Sequence, residues 1–205
     1  NAPNWIGIHV QINGTNLDLN KCKVSKFRRE LNMKTGIYKR SFELQLSANI
    51  RVAIDVKRFL SMKESSLGAI KYQITMIKGD ADIEIDSYVD GNIKNYDSNW
   101  EDPFWDFKSK IVSPELLLLH SQTLKTKFDV ATYAQTQLFD KNGVSKGNFT
   151  TSEGNQIISQ NKKHYLTEGD SCSVLKFGGY INGMNYDVND FESTAFNLVL
   201  TLASV

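Results

Sequence analysis

Cysteine is scarce: Cys22 and Cys172 are the 2 thiols of a 205-residue chain. Their spacing makes neither a metal-ligand cadence nor a redox pair. They read as buried thiols, and the sequence alone leaves pairing between them open. Proline is scarcer than usual, at 3 residues, so Gly and Asn do most of the turning. No apolar run approaches the ~20 residues of a membrane-spanning helix. The longest, Leu116 to Leu119, is short. Neither sign of charge dominates, with Lys and Arg at 24 against Asp and Glu at 23. A nucleic-acid footprint needs a basic excess, and there is none; there is no acidic tail either. Neither nucleic acid nor membrane is therefore expected as a partner. Helical periodicity is nearly missing, and no fixed-period repeat or low-complexity tract appears. Asn1-Ala2-Pro3-Asn4 contains no initiator Met and no signal-like apolar core, so the chain reads as a piece cut from a longer protein.

What is present is alternation. Ile6, Ile8, Val10 and Ile12 alternate with Gly7, His9 and Gln11 and run into Asn13-Gly14. An apolar alternation ending in Asn-Gly is a strong hairpin signal. Phe27, Leu31 and Met33 share one parity before the turn Lys34-Thr35-Gly36. Tyr38, Phe42, Leu44 and Leu46 come back, and Ile50, Val52, Ile54 and Val56 go out again, which predicts an antiparallel meander. Ser113-Pro114-Glu115 resembles a helix start, and Leu116 to His120 fits one helical turn or a strand. Phe128 to Phe139 reads as a strand closed by Asp140-Lys141-Asn142-Gly143. Gln156 to Gln160, Lys163 to Leu166, Ser173 to Tyr180 (ending at Gly178-Gly179) and Phe196 to Leu202 complete the strand pieces. Many short strands with regular turn signals predict an all-β fold, a sandwich or barrel with few or no helices.

The stretch from Arg58 to Phe107 is where function is expected. Ile70, Tyr72, Ile74 and Met76 alternate on one side of Lys78-Gly79-Asp80; Ile83, Ile85, Ser87 and Val89 alternate on the other. This predicts a hairpin of one sheet, which delivers the aromatic and acidic loop that follows Asp90-Gly91. That loop holds Trp100, Phe104 and Trp105 among Asp97, Asn99, Glu101, Asp102 and Asp106. Indole faces stack on the C–H faces of sugars and keep a polar handle. The plainer reading is that these rings anchor the loop to its own sheet or to another domain. The carboxylates Asp82, Glu84 and Asp86 share a strand face and read as solvated rather than catalytic. Glycosidic chemistry wants two carboxyl groups flanking one bond, and Asp97, Glu101, Asp102 and Asp106 on the loop are the set that a ligand could draw together; four acids beside few cations read more plainly as a wet loop. Arg28, Arg29 and Glu30 read as strand-edge ion pairing. His9, His120 and His164 have no metal-ligand cadence. No nucleophile elbow argues a Ser-His-Asp arrangement, and no Gly-rich phosphate cradle appears. No catalytic residue, metal ligand or cofactor is assigned within the chain.

Several segments nevertheless resemble one family. They are KFRRELNMKTGIYKR (26–40), RFLS (58–61), LGAIKYQIT (67–75) and DSYVDGNIKNYDSN (86–99). The opening Ala2-Pro3-Asn4-Trp5 and KTKFDVATYAQTQLF (125–139) fit the same pattern. Together they resemble the N-terminal domain of glycoside hydrolase family 65, which includes maltose, trehalose and kojibiose phosphorylases and related hydrolases. The resemblance implies an antiparallel β super-sandwich, galactose-mutarotase-like, that precedes a large (α/α) barrel. It implies one N-terminal domain over 1–205. The family's catalytic glutamate and phosphate site lie in the barrel, so none of its catalytic residues has a position here. The implied partners are the catalytic barrel of the same polypeptide, an α-linked disaccharide and a second copy in a homo-oligomer. The implied compartment is cytoplasmic for a phosphorylase and periplasmic or secreted for a hydrolase. A free-standing carbohydrate-binding module and a purely structural or dimerising sandwich are the rival expectations.

Overall fold

The computed structural model describes residues 1–93, 103–145 and 147–182. Among them there is no helix. The strands are β1 (Ile8–Ile12), β2 (Thr15–Asn16), β3 (Lys23–Asn32), β4 (Ile37–Gln45), β5 (Arg51–Leu60), β6 (Gly68–Lys78) and β7 (Ala81–Asp90). They continue as β8 (Trp105–Val112), β9 (Leu117–Thr123), β10 (Asp129–Asp140), β11 (Gly143–Val144), β12 (Thr150–Glu153), β13 (Ile157–Leu166) and β14 (Ser171–Asn182). A 5-stranded sheet runs β12-β13-β7-β1-β2. A 9-stranded sheet runs β3-β4-β5-β6-β14-β10-β9-β8, with β11 paired to β10. Every pairing among the described residues is antiparallel. The expected antiparallel all-β sandwich is therefore present.

The alternations become the core. Val10, Ile12, Ile83, Ile85, Val89 and Ile158 from the smaller sheet meet Phe42, Leu44, Ile54, Ile74, Leu117 and Val174 from the larger one. At about 25 cal/mol per Å² of apolar surface, this inter-sheet layer is the main source of stability. The Asn13-Gly14 hairpin forms as expected, with φ of 49° and 73° at the two turn residues. Two adjacent left-handed residues are what a two-residue hairpin matched to strand twist requires. The meander from β3 to β6 also forms in the expected order.

Four expectations need correction. β6 and β7 do not pair. β6 pairs with β5 and β14, whereas β7 pairs with β1 and β13. Lys78-Gly79-Asp80 is thus a corner between sheets, not a hairpin turn. Gly79 has φ +75°, and an added Cβ there would stand 2.3 Å from the Asn49 carbonyl oxygen. The two apolar faces meet across the sandwich, which buries more than lying edge to edge. Alternation reports that a strand has a dry face but not which strand shares its sheet. Second, Ser113 to Leu116 is the β8–β9 turn and no helix start; of the two geometries left open for Leu116 to His120, the strand is the one formed, as Leu117–Thr123. Ser113 Oγ accepts the Leu116 N–H at 3.0 Å. That bond is the one a helix N-cap makes, so the local sequence serves both geometries. Third, β14 passes through Gly178-Gly179 instead of ending there. An added Cβ at Gly178 would meet the Trp5 ring at 2.5 Å, and at Gly179 the Ser66 carbonyl oxygen at 1.8 Å. The glycines admit neighbours and do not mark a turn. Fourth, the pieces 156–160 and 163–166 are one strand, β13. The expected closing strand Phe196 to Leu202 lies outside the described residues.

Candidate functional site

The end of β7 and the start of β8 frame the aromatic stretch singled out above. β7 stops because Asp90 turns the chain: its Oδ1 accepts the Asn92 N–H at 2.8 Å. Gly91 follows because a side chain there would run into the Phe107 ring, 2.4 Å from an added Cβ. Asp97, Asn99, Trp100, Glu101 and Asp102 lie outside the described residues. Phe104, Trp105 and Asp106 are described. Phe104 is 52% exposed, and its ring meets that of Trp105 edge-on, with centroids 5.4 Å apart. The Trp105 indole N–H donates to the Asn1 carbonyl at 2.9 Å. Its polar handle therefore holds the first residues of the chain.

Sequence reading missed that N-terminal strap. Asn4 exchanges backbone hydrogen bonds with Asp90 at 2.7 and 2.8 Å. The Tyr180 hydroxyl donates to the Pro3 carbonyl at 2.8 Å. Trp5 is buried against the space left open by Gly68 and Gly178. The signal was the pair of glycines at positions where a strand needs no turn. Asp106 sits in β8 and bonds to Lys108, which holds its carboxyl below the usual range.

The structure also joins residues that the sequence kept apart. Across β8, β9 and β10, Ser109 stands opposite His120, and Asp129, opposite Gln122, reaches His120 on the diagonal. His120 Nε2 stands 2.9 Å from Asp129 Oδ1, and Ser109 Oγ stands 3.5 Å from His120 Nδ1. Hydrogen bonds from Gln122 and then His120 hold the Asp129 carboxyl below its ordinary range. The three side chains do not form the short, aligned hydrogen-bond chain of a hydrolytic triad. The Ser–His distance is at the limit of a hydrogen bond. The face with Asp82, Glu84 and Asp86 is solvated as expected, with Glu84 accepting from Asn161 at 2.9 Å. Arg28 pairs with Glu30 at 2.8 Å, also as expected. Both cysteines are free thiols. Among the described residues, no group of His, Cys, Asp and Glu is placed to hold a metal.

A cleft of about 400 Å³ lies beside Glu115 of the β8–β9 turn, along Gln135 to Leu138 of β10 and Lys162 of β13. Gln135, Gln137, Phe149, Lys162 and Phe177 line it. Lys162 donates to the Ser145 and Gly147 carbonyls at 2.9 and 2.6 Å, and burial lowers its pKa. The lysine therefore ties Ser145 and Gly147 to β13.

A family model for "Glycosyl hydrolase family 65, N-terminal domain" matches residues 1–203. The chain belongs to this family, as its N-terminal domain. The match extends past residue 107, beyond most of the motifs that carried the resemblance. Maltose phosphorylase of Bacillus subtilis (strain 168) is 32% identical over 179 residues, covering 86% of this domain and 23% of the relative. Alpha,alpha-trehalose phosphorylase of Thermoanaerobacter brockii is 22% identical, covering 92% of the domain and 25% of that protein. A solved structure titled a putative kojibiose phosphorylase from human microbiome superposes at TM-score 0.80 with 20% identity. It covers all of this chain, 100%, and 26% of the solved one, and it establishes the shared fold. The family 65 domain thus spans about a quarter of the length of these relatives.

Proposed function

We propose that this family 65 domain is the non-catalytic N-terminal part of an inverting disaccharide phosphorylase that cleaves an α-glucosidic disaccharide with phosphate. One observation carries the reading: the chain aligns along 86% of its length with a maltose phosphorylase yet accounts for only 23% of that protein. The named relatives are phosphorylases of maltose, kojibiose and trehalose. That favours phosphate over water as the nucleophile. The role of the domain is to pack on the catalytic portion and shape the mouth of its active site. The Phe104–Trp105 corner suits this, because an exposed ring there is held on a backbone strap rather than on a free loop. The test uses the full-length polypeptide that contains this sequence. With maltose, kojibiose or trehalose and inorganic phosphate it should release a glucose phosphate, and residues 1–205 alone should release none. Sugar cleavage by residues 1–205 alone, or phosphate-independent release of glucose by the full chain, overturns the proposal.

Direct sugar contact by the aromatic stretch is a second reading, favoured by the exposure of Phe104. It predicts heat on titrating the domain with maltose or trehalose, lost in Phe104→Ala and Trp105→Ala. A flat titration removes it.

A further inference from the structure

The inner face of the larger sheet does not stop where the core stops. Across β3, β4 and β5 the register places Leu31, Tyr38 and Arg58 in one row and Arg29, Arg40 and Val56 in the next. Residues directly opposite share a face, so these rows continue the face that carries Phe42 and Ile54 into the core. Here the face emerges from cover. Phe27 is 45% exposed, Leu31 56% and Met33 84%. Each arginine lies over a ring: Arg58 is 4.5 Å from the Tyr38 centroid, Arg29 5.0 Å from Phe27, and Arg40 5.4 Å from Phe42. Among the described residues, none of these arginines pairs with a carboxylate. Arg40 Nε is buried with no hydrogen-bond partner. The rows contain no Asp or Glu.

We infer that this arginine–aromatic face docks onto a carboxylate-bearing surface of the remaining part of the longer polypeptide. Arg29 and Arg40 stand directly opposite each other, and like charges in that position destabilise a sheet unless an anion bridges them. The rings hold the guanidinium planes in place, so a carboxylate meets donors that are already oriented. Exposed Phe, Leu and Met beside arginine is the composition of a protein interface rather than of a free-anion site. A second copy offering the same face would set arginine against arginine, which disfavours that occupant. Tethering supplies a segment of the same chain at high effective concentration. The inference rests on reading this chain as one domain of a longer phosphorylase.

The test is arginine footprinting of the native full-length polypeptide with phenylglyoxal, read by peptide mass spectrometry. Arg28 and Arg51, exposed on the same strands, serve as references within the molecule. Arg29 and Arg58, exposed in the domain itself, should react about tenfold or more slowly than these references, the factor that corresponds to roughly 1.4 kcal/mol of protection. The protection should persist on dilution to a monomer. In the double variant Arg29→Glu/Arg58→Glu, Arg40 should become reactive, whereas Arg29→Lys/Arg58→Lys should stay protected at Arg40. Equal reactivity of Arg29, Arg58 and the references overturns the inference, and so does protection that disappears on dilution, which would assign the face to a second copy. If the charge-reversed chain does not fold, the wild-type footprint decides. The footprint does not depend on turnover: protection in a chain that phosphorolyses none of the disaccharides would fail the functional reading and leave the docking face standing.

Discussion

Lys176 shows how far one residue can depart from its type. Its side chain is fully buried between the sheets, and its ammonium donates to the Gly7 and Tyr88 carbonyls at 2.7 and 2.8 Å. Burial lowers its pKa from 10.5 to about 7, with Asp86 acting in the opposite direction. In the unfolded chain the group keeps its proton to the ordinary value. Between about pH 7 and 10.5 the unfolded state therefore binds more protons than the native one, and stability rises with pH across that window. Urea midpoints measured from pH 6.5 to 9.5 should climb in the wild type, and Lys176→Met should flatten the climb. Methionine also leaves two carbonyls unpaired, so Lys176→Met should be less stable than wild type at the upper end of the range. Gly178 makes a second residue-scale prediction. A Cβ there meets both the Trp5 ring and, at 2.6 Å, the Tyr133 carbonyl oxygen, which is backbone and cannot turn aside. Gly178→Ala should cost about 1–3 kcal/mol and shift the emission of Trp5, checked by denaturation followed by fluorescence.

At the scale of elements, the two sheets are joined by more than apolar contact. Ser87 on β7 lies in the dry row with Ile83, Ile85 and Val89, and its Oγ stands 2.7 Å from Thr136 Oγ1 on β10. Both side chains are buried, so a single substitution strands the other hydroxyl. Ser87→Ala or Thr136→Val alone should cost about 1–3 kcal/mol, and the double variant less than the sum. A double-mutant cycle by urea unfolding measures the coupling, and simple additivity would show that the bond contributes nothing. The serine was visible in the alternation, but its partner lies 49 residues away in a strand of the other sheet. No local pattern could supply that partner.

At the scale of the whole molecule, the thiols report whether the sandwich stands without covalent staples. Cys172 is buried, and burial lifts its thiol to about 12, whereas Cys22 is half-buried. Native alkylation should label Cys22 and spare Cys172 until the chain unfolds, read by intact mass. A reductant should leave the unfolding midpoint unchanged.

The sequence by itself determined which residues are dry and where most turns fall, because a period of two and an Asn-Gly pair act through near neighbours. It also carried the family, since runs such as KFRRELNMKTGIYKR are specific as written. It did not determine which strands share a sheet. Only the tertiary structure put β6 and β7 in different layers, clamped Trp5 between two glycines, drew Trp105 onto Asn1, and lined up Arg29, Arg40 and Arg58 on an uncovered face. Those arrangements depend on pairings distant in the chain, where burial of whole faces outweighs anything a few adjacent residues prefer.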